Sequence, residues 1–234
     1  MFEWLTRGLQ SNANQHMEAE VIELPLFPLN VVLFPGQTLP LHIFEPRYRL
    51  MIQKCIDEKS PFGVVLLNEG DGEPYSVGTY ADITDVEHLA DGRLNINIVG
   101  IERFIVEDVH MTDEGYLLGE AILFPFRNDL KPGKELRRDV ITQLKKYLGL
   151  LSNVSGVRFK FDRFPRESAG IAVFVAIALQ LPLDDKQELL ATESVSELLR
   201  KENKILKDEL FTLGIMSKTI RPPLDTDDSI FSLN

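Results

Sequence analysis

Between residues 21 and 125 the apolar positions come in short runs, each closed by proline or glycine at Pro25, Pro28, Pro35-Gly36, Pro40, Gly70-Asp71-Gly72, Asp91-Gly92 and Gly115. Runs of this length between such breakers predict β-strands. Leu94, Ile96 and Ile98 alternate with Asn95 and Asn97, the period of two that places one strand face in a core and the other in water. The preceding run, Tyr75 to Leu89, joins it through Ala90-Asp91-Gly92, and Asp-Gly favours a hairpin because the glycine takes positive φ without strain. Further strands are predicted at Phe62–Leu67, Arg103–Met111 and Tyr116–Phe124. One helix interrupts them. Pro46 suits a first helical position, and Tyr48, Met51, Ile52, Cys55 and Ile56 follow at helical spacing on one face.

After Pro125 the apolar period changes to about 3.6, which predicts a β subdomain over 21–126 followed by a helical bundle over 127–216. Leu136, Val140, Leu144, Tyr147, Leu148 and Leu151 form one stripe, and a second apolar helix is expected from about Arg166 to Leu181, stopping at Pro182. Asp184 with Gln187, and Ser194 with Glu197, have the spacing of capping boxes that open a short and a long helix. The long helix carries Val195, Leu198, Leu199, Ile205, Leu206, Leu210 and Leu213, and Gly214 is the expected left-handed stop. Its stripe calls for a partner within the bundle, with a heptad dimer as the alternative. Residues 1–20 and an acidic tail over 217–234 are expected to be flexible.

Composition narrows the class. With 234 residues, 44% of them hydrophobic and 26% charged, the chain is globular and large enough to bury a core without staples. A single cysteine excludes an internal disulfide and any zinc site that needs several cysteines. Cys55 itself falls on the inner helix face, the place of a small buried hydrophobe rather than a nucleophile. The first twenty residues have no signal-peptide apolar core, and the longest apolar run, Ala169 to Leu179, is well short of the ~18 residues that cross a bilayer. A soluble cytoplasmic protein without membrane partners is expected. A net charge of -11 disfavours a general nucleic-acid role.

Catalytic signatures are missing from the sequence. There is no GxxxxGK[ST], HExxH, GxSxG or GxGxxG. The four histidines, His16, His42, His88 and His110, are scattered, and Asp82, Asp85 and Glu87 read as the solvated face of a strand. No nucleophile, base and orienting group come together, so no enzyme activity, metal or cofactor is expected.

The segment from Leu24 to Arg49 reads LPLFPLNVVLFPGQTLPLHIFEPRYR and strongly resembles the opening of the Lon protease N-terminal domain. The likeness continues through Phe62-Gly63-Val64-Val65, Val77-Gly78-Thr79, Asp91-Gly92-Arg93, Gly100-Ile101-Glu102-Arg103-Phe104 and the stretch from Leu181 to Leu190, and covers about Glu23 to Gly214. The resemblance implies an α+β fold, a PUA-like twisted β pseudo-barrel followed by a C-terminal helical bundle. It also implies the part of a Lon protease that selects unfolded or tagged polypeptides and assists assembly, while separate domains hydrolyse ATP and cut peptides. Ending at residue 234 without those domains, the chain is expected to be a stand-alone member of the peptidase S16-like group.

Much of this signature has a structural reading beside a functional one. Four prolines confine the ribbon to edges and corners of a sheet, and Gly36 suits the left-handed position after Pro35. Glu45 can accept helix amides, with Arg47 and Arg49 pairing to it or to strand carboxylates; Glu45, Pro46, Arg47 and Tyr48 are scaffold residues or face a ligand. A polypeptide-binding surface needs exposed apolar groups and an unpaired strand edge. Phe27, Phe34, Leu39 and Phe44, with Arg47 and Tyr48, are the candidate binding residues; core packing is the alternative for the phenylalanines. Residues 127–166 hold eleven basic and four acidic side chains, which leaves -18 on the remainder. This is a solvated helix face or the dock of an anionic partner. The expected function is non-catalytic binding of unfolded or exposed polypeptide segments as an adaptor or chaperone-like factor in protein quality control, alongside a Lon or other protease. The alternative is RNA binding through the barrel and the basic segment.

Overall fold

A computed structural model describes residues 21–68, 70, 72–127, 132–155 and 164–219. The expected flexible N-terminus, and the tail from residue 220 onward, lie outside the described residues. Six strands, β1 (Val21–Leu29), β2 (Thr38–Ile43), β3 (Phe62–Leu66), β4 (Val77–His88), β5 (Leu94–Met111) and β6 (Leu117–Leu123), form one mixed sheet with α1 (Pro46–Glu58) inserted after β2. Four helices follow: α2 (Lys134–Ser155), α3 (Ser168–Ala178), α4 (Leu183–Leu190) and α5 (Val195–Thr219).

The sheet closes on itself irregularly, the α+β pseudo-barrel expected. Its order is β2-β5-β4-β3-β1-β6, with β6 returning to pair with the second half of β5. All pairs are antiparallel except β1 with β3. Closure depends on β5, which the sequence reads as two strands, around Leu94–Ile98 and at Arg103–Met111, but which runs unbroken for 18 residues. Its first half pairs with β2 and its second half with β6 along the same edge. Gly100 stays in the strand because the turn after Phe34 lies directly on it: Gly36 N–H donates to Gly100 O at 2.7 Å, and a Cβ at residue 100 would stand 2.6 Å from Phe34 O. Gly36 and Gly92 take φ of 78° and 77°, as their turns require.

Three apolar clusters fill the molecule. Leu24, Leu26, Val65, Phe104 and Ala121 pack together in one, and Gly78 must lack a side chain because its Cβ would meet the Phe104 ring at 2.6 Å. A second lies under α1, whose Tyr48, Met51, Ile52 and Cys55 are buried as their spacing predicts. The third is the helical core, and it takes in Val32, Phe34, Leu66 and Val77 from the strand region. The stripe of α5 is covered by α2 and α3 of the same chain.

Polar bonds stitch helices to sheet. Arg103, on β5, is fully buried; its Nη1 donates to Leu190 O at 2.5 Å and Thr192 O at 2.7 Å, and its guanidinium lies over the rings of Phe126 (3.3 Å) and Phe124 (4.5 Å). Burial pushes this guanidinium down to about 10, against a smaller opposing pull from Glu102. Gln187 is not a capping partner: its side chain is buried and Nε2 donates to Val77 O at 2.8 Å, while Tyr75 Oη donates to Asp184 at 3.0 Å. Ser194 does cap α5, accepting Glu197 N–H at 3.2 Å. Two predicted ends move. The second apolar helix stops at Ala178, before Leu181, and α5 runs past Gly214 to Thr219, so residues 217–219 belong to a helix and not to the tail. A glycine costs a helix only about 1 kcal/mol, which the burial of Leu213 beside it offsets.

Candidate functional site

Among the described residues β2 is the strand with a neighbour on one side only along its whole length, since β5 pairs with it and nothing follows it in the sheet order. Leu39 and Leu41 are half-buried and Ile43 buried toward the core under α1, while Thr38, Pro40 and His42 are exposed. Pro40 has no N–H to donate, and proline in a strand is confined to such an edge. Immediately beyond Ile43 the chain turns into α1 and leaves Phe44 at 59% exposure.

A polar lattice holds this region. The His42 ring stacks on Phe44 (centroids 6.1 Å apart, planes 24°), and its Nδ1 lies 2.7 Å from Asn95 Oδ1. Asn95 Nδ2 in turn donates to Glu87 Oε2 at 2.7 Å, and Arg93, paired to Asp91, reaches His42 Nε2 at 3.3 Å. Two shallow concavities flank Phe44 in the chain: about 300 Å³ lined by Pro40, His42, Asp85, Glu87, Asn95 and Asn97 among others, and about 350 Å³ lined by Pro46, Arg49, Leu50, Gln53, His88 and Leu94 among others. Leu50, off the buried stripe of α1, is 58% exposed on the second. The arrangement offers backbone, an aromatic ring, an alkyl side chain and carboxylates together. No group of three or more histidines, cysteines or acids among the described residues is placed to hold a metal ion.

Of the candidate binding residues, Phe44 and Arg47 lie on the surface and Leu39 is half-buried. The other three are interior. Phe27, Phe34 and Tyr48 are 7%, 1% and 8% exposed, so they cannot line an open groove in this structure. The reason is packing: the Phe27 ring sits 4.4 Å from that of Tyr48 and 6.1 Å from that of Phe62, and Phe34 fills the seam between sheet and helices. Burial raises the Tyr48 phenol, with Arg47 pulling the other way. Arg47 pairs with Glu45 at 2.9 Å, lies over the Tyr48 ring at 4.5 Å and reaches Gly115 O at 3.4 Å. Glu45 therefore caps no helix amide; its carboxylate is taken by Arg47. Arg49 packs on the β4–β5 turn beside Gly92, with no carboxylate partner among the described residues. Cys55 is 2% exposed and burial pushes its thiol up, as for an inert core residue. The sequence reading missed the His42–Asn95–Glu87 lattice and the exposed Leu50. Alternation along β5 does place Asn95 outward, but the partners come from strands brought together only by the sheet.

The family model for the substrate-binding domain of ATP-dependent protease La (LON) matches residues 23–208. This chain belongs to that family. The Lon protease of Brevibacillus choshinensis is 26% identical over 203 residues, which cover 84% of this chain and 26% of that protein. The chain thus spans about a quarter of the length of the curated relatives it matches. A solved Lon N-terminal domain protein from Xanthomonas campestris superposes with a TM-score of 0.62 at 28% identity, covering 77% of this chain and 96% of that one. The N-terminal domain of a Mycobacterium avium complex Lon protease, at 19% identity and a TM-score of 0.58, shares the fold over 81% of this chain and 98% of its own. Within the Lon substrate-binding domain the signature segments meet in space. Val-Leu-Phe-Pro-Gly docks on Gly100, and Val-Gly-Thr holds the Phe104 ring through Gly78 and Leu33 O through the Thr79 hydroxyl at 2.6 Å. No helix among the described residues is long and apolar enough to cross a membrane.

Proposed function

We propose that this Lon substrate-binding domain captures extended, unfolded polypeptide along the open edge of β2 and the surface around Phe44, without catalysing a reaction, as an adaptor or chaperone-like factor in protein quality control. The observation that carries the reading is the coincidence of an unpaired strand edge with an exposed aromatic side chain at its end. An unfolded client has backbone amides and carbonyls to pair and apolar side chains to bury, and β-strand addition supplies both needs. Its outward side chains would pass over Pro40 and His42, where Asp85 and Glu87 add negative charge. The surface-exposed Arg47 and half-buried Leu39 frame the ends of the strip. Being unfolded, the client gives up ordering entropy on binding, so weak, micromolar affinity and broad selectivity are expected.

The test is a titration of the protein with reduced, carbamidomethylated ribonuclease A, using native ribonuclease A of the same basic character as control. Saturable binding of the unfolded form without ATP is expected, and Phe44→Ser should weaken it about tenfold, the loss of some 1–2 kcal/mol of apolar burial. Equal binding of native and unfolded forms would remove the reading.

A further inference from the structure

A second surface lies on α2. Among the described residues, Lys134, Arg137, Arg138, Ile141, Thr142 and Lys145 line one concavity of about 460 Å³. Among the described residues no carboxylate lines it. Helix geometry explains the segregation. At roughly 100° per residue, positions 134, 138, 141 and 145 fall on one stripe, while Glu135 and Asp139 turn about 80° and 120° away from Lys145. The core stripe of α2, with Val140, Leu144 and Tyr147, faces the bundle instead.

Four surface cations elsewhere are neutralised at short range: Arg47 by Glu45, Arg93 by Asp91, Arg127 by Glu193 and Lys201 by Glu197. The α2 cations have no ion pair of that kind among the described residues. Arg137 donates to the carbonyl of Arg166, and the Lys145 ammonium lies 5.2 Å over the Phe164 ring; both contacts hold the side chains without cancelling their charge. The groove also begins at the first turn of α2, where the helix dipole adds positive potential.

We infer that this α2 groove is a docking site for an acidic polypeptide segment, separate from the strand-edge surface. Charge complementarity selects an anion. One further feature selects a polypeptide over RNA. Base stacking needs free aromatic faces, and Phe164, the ring beside the groove, is already covered by Lys145 and set edge-on to Phe174 at 5.7 Å. Half-buried Ile141 and the lysine and arginine stems give the groove apolar surface to take side chains that interrupt a run of aspartate or glutamate.

Fluorescence anisotropy with a labelled deca-glutamate peptide and with an oligouridylate of ten nucleotides tests the proposal. Saturable binding of the peptide is expected, falling about tenfold between 50 and 300 mM salt as screening shortens the reach of the charges. The pair R138E and K145E, both exposed, should weaken it at least tenfold while capture of unfolded ribonuclease A persists, so this proposal and the strand-edge reading fail separately. The milder pair R138Q and K145Q, checked by circular dichroism, guards against misfolding and should weaken binding in the same direction. No saturable binding of the peptide, unchanged binding in a folded R138Q and K145Q protein, or tighter binding of the oligouridylate would each overturn the proposal.

Discussion

Replacing Arg103 by alanine should loosen the helices from the barrel. The guanidinium satisfies the carbonyls of Leu190 and Thr192 in a fully buried position and stacks on Phe124 and Phe126. Two orphaned buried carbonyls cost about 1–3 kcal/mol each, and losing a desolvated cation–π contact costs about 2 more. Against this stands relief, because Nε and Nη2 have no partner among the described residues and a buried unpaired charge is itself expensive, by some 2–3 kcal/mol. The balance is a loss of about 3 kcal/mol, a large part of the 5–15 kcal/mol that holds a domain together, and a fall in Tm of about 6–12 °C. Urea unfolding followed by far-ultraviolet circular dichroism measures it through the midpoint and slope. Because both carbonyls belong to the end of α4 and its link to α5, the helices should melt before the strands, so that dichroism and hydrogen exchange of β5 no longer coincide. Arg103→Lys should recover less than half of the loss, since an ammonium cannot stack on two rings. A loss below about 0.5 kcal/mol for the alanine variant would refute the argument that these bonds join the two parts.

Glu202, fully buried on α5, has its carboxyl held well above the usual range by burial, which outweighs the opposing pull of a backbone hydrogen bond at Ala176. The folded state then keeps a proton that the unfolded state releases, so stability falls as pH rises from the ordinary carboxylate range through the folded value. Glu202→Gln should therefore match the wild type near pH 4 and exceed it by about 1–2 kcal/mol at pH 7.5, read from Tm at the two pH values. Gly100→Ala should cost about 1–3 kcal/mol, since its Cβ would press on Phe34 O at 2.6 Å and displace the docked turn; thermal melting checks this, and an unchanged Tm would count against that packing.

Local order was legible wherever a single element decides it. The alternation of Leu94, Ile96 and Ile98 and the stripe of Tyr48, Met51, Ile52 and Cys55 emerge on the faces they predict. What the sequence could not show depends on distant partners. The stretches around Leu94–Ile98 and Arg103–Met111 read as separate strands until the Phe34–Gly36 turn is seen lying on Gly100 between them, and the parallel pairing of β1 with β3 has no local signature. Gln187 has capping-box spacing, yet a buried carbonyl at Val77 competes for it and wins. The same limit governs the site. Phe27, Phe34 and Phe44 carry identical chemistry in one ribbon, and only the closed sheet decides that the first two are interior and the third is not. The basic run is plain in the sequence, but its gathering into one groove depends on the phase of α2.

Hydrogen–deuterium exchange of the protein with and without reduced, carbamidomethylated ribonuclease A tests the strand-edge reading most directly. The account predicts new protection of amides between Thr38 and Phe44, with α2 unchanged. Protection that appears elsewhere while β2 exchanges as before would contradict it.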